Sequence, residues 1–300
     1  MLNLLKSDLY RLVHGKMLWV LIAVMAIGAA FVVAMSWFVS TDTFREMAMQ
    51  SASSGGQGGT GISVGVQSSG GADITAIDTI DATTVPGLTY VAGGTIVGGG
   101  FIVLLHGLFT ALFLSSDVST GFLKGVLAAR RNRMAYYLEK LLVIELVALA
   151  FVVVGVATCA IGTTVAGFTF TDPDSIGILL AWMALSWLIA CAYACIVALI
   201  TWITRSVVAG TVTAVGITMA EGIVQSVLGS LFSGSTVAGA IAGWLPLTSA
   251  GLLGAGSGFL SAAAPAGEVI TPLAHVLITG IVCVAVFGCA SLTIARKRDV

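Results

Sequence analysis

The chain has 300 residues, of which 58% are hydrophobic and only 9% are charged, with 13 Lys and Arg against 14 Asp and Glu. Soluble globular proteins carry about one charged residue in four, so this chain lacks the polar side chains to cover a water-facing surface. The composition excludes a cytosolic enzyme and a disordered chain, and the absence of a basic excess excludes a nucleic-acid-binding protein. It indicates an all-α membrane protein with several spans.

Residues 1–16 are predicted to form an amphipathic helix in the membrane interface. At 100° per residue, Leu5, Leu9 and Leu12 share one face, whereas Asp8 and Arg11 lie on the other. Such a helix buries its apolar side in lipid and keeps its cations near anionic head groups. The pattern fits a topological anchor and a functional contact equally, because amphipathicity accompanies both.

Six stretches within residues 17–300 have the length of about 20 apolar residues that a spanning helix needs. The first is too long for the core of a cleavable signal peptide, so we expect it in the mature protein. Each stretch is predicted to be a helix, because lipid offers no partner to an open backbone group. The six spans are Met17–Val39, Gly94–Leu114, Leu141–Val165, Ile176–Ile203, Val207–Leu231 and Leu273–Ala295.

The cations predict the orientation, because they concentrate on the cytoplasmic side of membrane proteins. With six spans, twelve of the 13 Lys and Arg residues fall on one side, and only Arg45 falls on the other. Both termini are therefore predicted to be cytoplasmic. The twelve are Lys6, Arg11, Lys16, Lys124, Arg130, Arg131, Arg133, Lys140, Arg205, Arg296, Lys297 and Arg298.

Two stretches are predicted to lie on the outer side. Residues 40–93 are predicted to be a Gly-rich extracellular loop, since Gly55–Gly71 holds eight glycines in seventeen residues. Ser230–Thr271 is mildly apolar. A seventh span there would place Arg296, Lys297 and Arg298 on the outer side, against the distribution of the other cations. We expect a re-entrant or short-helix segment before the sixth span instead, with its broken backbone satisfied by protein or water.

The connection between the second and third spans carries the most informative pattern. Asp117 or Ser119 is suited to cap a helix that runs through Ala129, and three arginines follow at its end. Its apolar residues group on one side: Phe122, Leu123, Val126 and Leu127. This face fits a groove on a partner protein and fits the ends of the chain's own helices.

The chain resembles, over most of its length, the membrane subunit, or permease, of ABC-2-type ABC transporters. Leu4–Leu12 is similar to the family's amino-terminal helix. The second-to-third connection follows the family's order of an acidic, a small and a basic residue, then Arg-x-x-Tyr and Lys: Asp117, Gly121, Lys124, Arg133, Tyr136, Tyr137 and Lys140. Six spans, cytoplasmic termini and the segment before the last span also fit. The Gly-rich outer loop departs from many relatives.

The resemblance implies a non-catalytic transport subunit in the plasma membrane. Such permeases pair with a second copy or a sister permease, and two ABC ATP-binding subunits dock at the cytoplasmic side. The implied cargo is amphipathic, a peptide, drug or lipid, and export is the expected direction. The second-to-third connection would be the coupling helix that seats in the ATPase. The implied coupling residues are Asp117, Gly121, Phe122, Leu123, Lys124, Val126, Leu127 and Arg133.

The sequence itself is consistent with an energy source that another subunit supplies. No G-x-x-x-x-G-K-[ST] phosphate loop occurs in the sequence, so we expect ATP and Mg²⁺ to be bound by the partner and no cofactor by this chain. His14, His106 and His275 lack the neighbours of a metal site, which makes an intramembrane metalloenzyme a weak alternative. We expect His106 to be a hydrogen-bonded packing residue.

Glu221 is the one charged residue between Arg205 and Glu268, about midway along the fifth span. A charge at that depth is costly and faces a cavity or a partner. It is a candidate pathway or interface residue, and the alternative to the ABC permease is an ion-coupled secondary transporter that uses it. The same position fits a carboxyl group that is protonated, or one that is hydrogen-bonded to Gln225, Ser226 or a neighbouring helix. Glu145, one turn into the third span, is interpreted as structural and is expected to snorkel or to pair with Lys140 or Arg205.

Overall fold

The structure, a computed structural model, describes residues 2–41, 43–44, 84–98, 100–119, 133–231, 243–263 and 270–297. These residues form an all-α bundle with one two-stranded ladder at its edge. The elements are α1 (Leu2–His14), α2 (Lys16–Ser40), β1 (Thr84–Val85), α3 (Leu88–Ala92), a π-helical turn (Gly93–Gly98), α4 (Phe101–Ser119), α5 (Arg133–Val165), β2 (Thr169–Phe170), α6 (Ile176–Thr204), α7 (Val207–Leu231), α8 (Pro246–Gly254), a 3₁₀ turn (Ser257–Leu260) and α9 (Pro272–Lys297).

Among the described residues, four helices are long and apolar enough to cross a membrane, namely α2, α5, α6 and α9. Two bent pairs of segments bring the number to as many as six when each is one span. The protein is therefore an all-α membrane protein. The predicted third span begins at Leu141, but α5 begins at Arg133. Hydropathy misses this first part, because its polar side chains turn into the protein instead of into lipid.

Two of the predicted spans are broken. In the second, the segments Leu88–Gly98 and Phe101–Asp117 meet at 47°, and Gly100 in the break has a positive φ of 68° that favours glycine. In the fifth, Val207–Ile217 and Met219–Leu228 meet at 45°. Apolar composition continues across both breaks, so a length-and-hydropathy argument predicts unbroken helices in their place.

Helix α6 occupies the middle of the bundle and packs against α4, α5, α7 and α9, with α9 its most extensive neighbour. Helix α2 lies at the periphery, against α5. Small residues allow the close approach of α4 and α7. A Cβ added at Gly107 would lie 2.9 Å from Ala214, and one added at Gly210 would lie 3.0 Å from Ala111.

Three segments meet at the end of the bundle opposite α1, and we call them the cap: residues 84–98, 169–175 and 246–260. Strands β1 and β2 pair in parallel, Thr84 with Thr169 and Val85 with Phe170. The Asp174 carboxylate accepts hydrogen bonds from the Thr89 backbone (2.8 Å), the Thr89 hydroxyl (2.9 Å) and the Ser257 hydroxyl (2.6 Å). The end of the predicted 40–93 loop holds β1 and α3, whereas residues 45–83 of that loop lie outside the described part.

Glycines allow the cap segments to cross at backbone contact. A Cβ on Gly93 would lie 2.6 Å from the Leu253 carbonyl oxygen, and one on Gly254 would lie 2.8 Å from the Gly98 Cα. The buried Trp182 of α6 donates its indole N–H to the Leu253 carbonyl at 3.0 Å. Before the last span, the described residues thus contain a short helix and a 3₁₀ turn, as predicted for part of Ser230–Thr271.

Candidate functional site

A cluster of charged side chains is buried at the end of the bundle that carries α1. The Lys140 ammonium lies 2.6 Å from the Asp117 carboxylate and also binds the Asp8 carboxylate. Asp117 further accepts hydrogen bonds from the Tyr136 hydroxyl at 2.6 Å and from the Arg11 guanidinium at 2.7 Å. We call Asp8, Arg11, Asp117, Tyr136 and Lys140 the ion cluster.

Helical spacing places these side chains. On α5, Tyr136 and Lys140 are one turn apart and share a face; on α1, Asp8 and Arg11 are three residues apart and do the same. Asp117 lies in the last turn of α4. The Lys140 ammonium also lies 4.5 Å from the centre of the Phe113 ring, within the range of a cation–π interaction. The cluster therefore joins three helices.

The charges of the ion cluster balance, with two carboxylates against two cations. Lys140 is fully buried, and Asp8 and Asp117 are 3% and 2% exposed. Buried charges persist in proteins when they are paired and hydrogen-bonded, as these are. Glu139 is buried next to Lys140 and lies beside the Asp8 carboxylate, at the edge of the ion cluster.

Arg11 closes the ion cluster on its exposed side. Partial burial acts to lower the pKa of Arg11, but the hydrogen bond and negative charge of Asp117, with the charge of Asp8, outweigh it and raise the pKa above its ordinary value. The guanidinium is therefore always charged. Asp8, which the sequence assigns to the polar, head-group-facing side of α1, instead turns into the bundle, so α1 is held by ion pairs as well as by its apolar residues.

The structure places two of the implied coupling residues. Asp117 lies within α4 and Arg133 is the first residue of α5. The sequence predicts Asp117 or Ser119 as the cap of the following helix, and the Asp117 carboxylate binds Arg11, Tyr136 and Lys140 instead. Six others lie outside the described residues, as does the predicted connection helix: Gly121, Phe122, Leu123, Lys124, Val126 and Leu127.

Asp8, Tyr136 and Lys140 are not among the site residues predicted from the sequence, although Asp8 lies in Leu4–Leu12 and Tyr136 and Lys140 belong to the second stretch that resembles the family. The sequence does indicate that these side chains are buried, because each is a polar residue one or two turns from an apolar span. Each also lies on a helix whose neighbouring side chains are apolar. The sequence cannot show that residues 8, 117 and 140 meet, because this depends on how three separate helices pack.

Glu221 lies in the second half of α7, past its bend, and is half-buried. The hydroxyl of the buried Tyr193 on α6 donates to its carboxylate at 2.6 Å. One turn further along α7, the Gln225 amide donates to the Thr248 hydroxyl on α8 at 2.8 Å. Polar side chains in the second half of α7 are thus hydrogen-bonded to both α6 and α8.

Two other buried polar residues differ in part from expectation. Glu145 does not pair with Lys140, which the ion cluster holds, but accepts a hydrogen bond from the Cys195 thiol at 3.6 Å. His106 is fully buried between Phe109 and Phe151, as a packing residue would be. Neither of its ring nitrogens, however, has a hydrogen-bond partner among the described residues. The same residues contain no group of three or more His, Cys, Asp or Glu that could hold a metal ion.

Comparison with known proteins adds no relative to these observations. No family model matches the chain, and a search of curated proteins finds no match to it. The ion cluster and the Glu221–Tyr193 pair are therefore the features on which a functional conclusion rests.

Proposed function

We propose that this chain is the membrane-spanning permease subunit of an ATP-driven ABC transporter of the ABC-2 type, exporting an amphipathic substrate across the plasma membrane. The observation that carries the proposal is the ion cluster. Its members come from the two stretches that resemble the family, Asp8 and Arg11 from the first and Asp117, Tyr136 and Lys140 from the second. These stretches are more than a hundred residues apart in the chain, yet they bind each other.

The position of the ion cluster suits a coupling role. Asp117 lies in the last turn of α4 and Lys140 lies two turns into α5, so the cluster links the two helices on either side of the 120–132 connection. A force applied to that connection by a partner would reach α4, α5 and, through Asp8, α1. Buried ion pairs are better suited to fixing register than to adding stability. The cluster would make the three helices respond together.

The proposed orientation has α1 and the ion cluster on the cytoplasmic side, together with both termini. The support is the distribution of cations, since twelve of the 13 belong to that side. In a chain whose five native cysteines are replaced by alanine, Lys124→Cys and Arg131→Cys should then react with a membrane-impermeant maleimide only in inside-out vesicles. The matched position is Ile176, which is exposed at the opposite end and should react only from the exterior.

In the proposed transporter, separate ABC ATP-binding subunits bind ATP and Mg²⁺. This chain and a second permease form the pathway through the lipid. The sequence has no phosphate loop of its own. The coupling surface would be the apolar face of the 120–132 connection. In the competing interpretation, this apolar face packs on the ends of the chain's own helices, and no partner protein binds there.

A charge introduced on that apolar face by substitution distinguishes between the two interpretations. Phe122→Asp and Leu123→Asp should abolish co-purification with the cognate ATPase and ATP-driven transport, because a carboxylate cannot be seated in an apolar groove without a partner. Ile176→Asp, which adds the same charge at an exposed apolar position at the opposite end, should leave both intact. Full assembly and transport by either connection variant would exclude the coupling role.

An ion-coupled secondary transporter that uses Glu221 is the second candidate, favoured by the Tyr193–Glu221 hydrogen bond within the spanning region. It predicts cargo movement on an imposed proton gradient without nucleotide, and loss of that movement in Glu221→Gln. The ABC permease predicts no movement under those conditions in the unmodified chain.

A further inference from the structure

The ion cluster has an acidic neighbour, Glu139, which directly precedes Lys140 on α5 and is 1% exposed. Its carboxyl group lies beside the Asp8 carboxylate and within hydrogen-bonding reach of it. Together with Asp117, three carboxyl groups thus stand against the two cations of the cluster. If all three were ionised, this part of the bundle would carry one negative charge in excess.

The cations of the cluster are committed to the other two carboxylates. The Lys140 ammonium binds Asp8 and Asp117, and Asp117 also binds the Arg11 guanidinium. Asp8 and Asp117 act on Glu139 as like charges, and Lys140, the opposite charge beside it, is shared with both. The Tyr136 hydroxyl donates to Asp117 and is neutral. Other charged or titratable side chains described at this end are exposed: Lys6, Tyr10, His14, Lys16 and Arg205.

A carboxyl group in these surroundings keeps its proton. Ionisation is costly because burial removes water from the carboxylate and because the adjacent Asp8 has the same charge. A protonated Glu139 instead donates a hydrogen bond to Asp8, which leaves two carboxylates against two cations. The packed arrangement of the three helices therefore requires a proton on Glu139.

Helix α1 is the element that the loss of this proton would displace. It has 13 residues, and among its described side chains only Asp8 and Leu12 are buried. Helix α5, with 33 residues, continues through the spanning region. An element with few buried contacts opens before one with many, so repulsion between Asp8 and Glu139 is relieved most readily by movement of α1.

We propose that Glu139 is a proton-operated switch for the packing of α1. With its proton, Glu139 donates to Asp8 and α1 stays packed against α5. Without it, the two carboxylates repel each other and α1 separates from the bundle. Separation releases one proton, so the ratio of packed to separated α1 falls as the pH rises, by at most about tenfold per pH unit. The switch needs neither ATP nor a partner, and it is therefore independent of the proposed transport function.

The test is the distance between spin labels on α1 and α5 in the purified full chain in detergent micelles, measured from about pH 6 to about pH 9. The labels are attached at Ser7→Cys and Leu146→Cys, both exposed positions, after the five native cysteines are replaced by alanine. One distance, that of the packed helix, is expected at the lowest pH. A second, longer distance should gain in share as the pH is raised.

Glu139→Gln is the decisive variant, because its amide can donate the same hydrogen bond to Asp8 at every pH. The packed distance should then persist to the highest pH. Two control variants should keep the pH dependence of the chain that carries the labels alone. Glu145→Gln neutralises another buried acid six residues further along α5. His14→Gln removes the imidazole of α1, a group of the kind that changes charge near neutral pH.

Four results would overturn the proposal. The first is a packed fraction that does not change with pH when Glu139 is present. The second is the same pH dependence in Glu139→Gln, and the third is separation of α1 at every pH in that variant. The fourth is loss of the pH dependence in His14→Gln, which would assign the titration to the exposed imidazole.

Discussion

The Lys140 ammonium lies 2.6 Å from the Asp117 carboxylate, although neither side chain has appreciable contact with solvent. Desolvating two such charges costs several kcal/mol per ion, so the pair adds little net stability by itself. Its effect is to make the packing of α4 and α5 specific, and Asp8 extends that specificity to α1. Removing one partner leaves an uncompensated buried charge, which makes the ion cluster sensitive to single substitutions.

Lys140→Met should lower the free energy of unfolding by about 3–5 kcal/mol, because Asp8 and Asp117 would stay buried without their cation. Denaturant titration in detergent micelles measures the loss. Lys16→Met is the control, since Lys16 is exposed at the start of α2, and it should change stability by about 0.5 kcal/mol at most. Equal effects of the two substitutions would mean that Lys140 is not a member of a buried ion cluster.

Glu139→Gln should behave in the opposite way. The ion cluster is already balanced without Glu139, whose carboxyl group is buried beside the like-charged carboxylate of Asp8. Replacing it with a neutral amide of the same shape removes a buried acid, so stability should be unchanged or higher. Asp117→Asn, measured in the same titration, should be clearly destabilising. A loss of more than about 1 kcal/mol in Glu139→Gln would indicate that Glu139 has a partner.

The sequence predicts the helices better than it predicts their contacts. Apolar runs of spanning length identify the helices from composition alone, and the predicted α6 ends within one residue of the observed Thr204. The first turns of α5 are missed because Tyr136 and Lys140 lower the local hydropathy. Their burial depends on Asp8 and Asp117, which come from other helices, so no local pattern predicts it.

The same reasoning applies to the breaks and to Glu221. Glycines at 93, 98 and 100 are visible in the sequence, but small residues are frequent in all the spans and do not mark a bend. Glu221 is visible as a charge in an apolar span. The hydrogen bond that it accepts from Tyr193 and the bend between Ile217 and Met219 are properties of the packed helices.

Gly93→Ala should destabilise the cap. The new methyl group would lie 2.6 Å from the Leu253 carbonyl oxygen and 2.8 Å from that of Gly254, so two backbone segments must separate, at a cost of about 1–3 kcal/mol. Gly94→Ala tests the adjacent position, where an added Cβ meets nothing within 4 Å. It should be tolerated. Thermal unfolding midpoints of the two variants should therefore differ, and identical midpoints would contradict the crossing of residues 93 and 254.

Asp174→Asn should loosen the attachment of the cap to the start of α6. The carboxylate accepts three hydrogen bonds from Thr89 and Ser257, and an amide nitrogen in its place would face at least one donor. The expected cost is about 1–3 kcal/mol. Asp172→Asn removes an equal charge from an exposed side chain and should be neutral. Hydrogen exchange of residues 84–98 should be faster in Asp174→Asn alone, and unchanged exchange would show that Asp174 does not hold this segment.

Reconstitution into vesicles tests most directly whether this chain forms the pathway while a separate subunit supplies the energy of ATP. The chain is assembled with a candidate ABC-type ATPase that co-purifies with it, and uptake of a fluorescent amphipathic cargo is followed in inside-out vesicles. Uptake should require both ATP and the ATPase and should cease in Leu123→Asp, because the connection can then no longer transmit force. Uptake by the chain alone without nucleotide, or ATP-driven uptake by Leu123→Asp equal to that of the unmodified chain, would contradict the account.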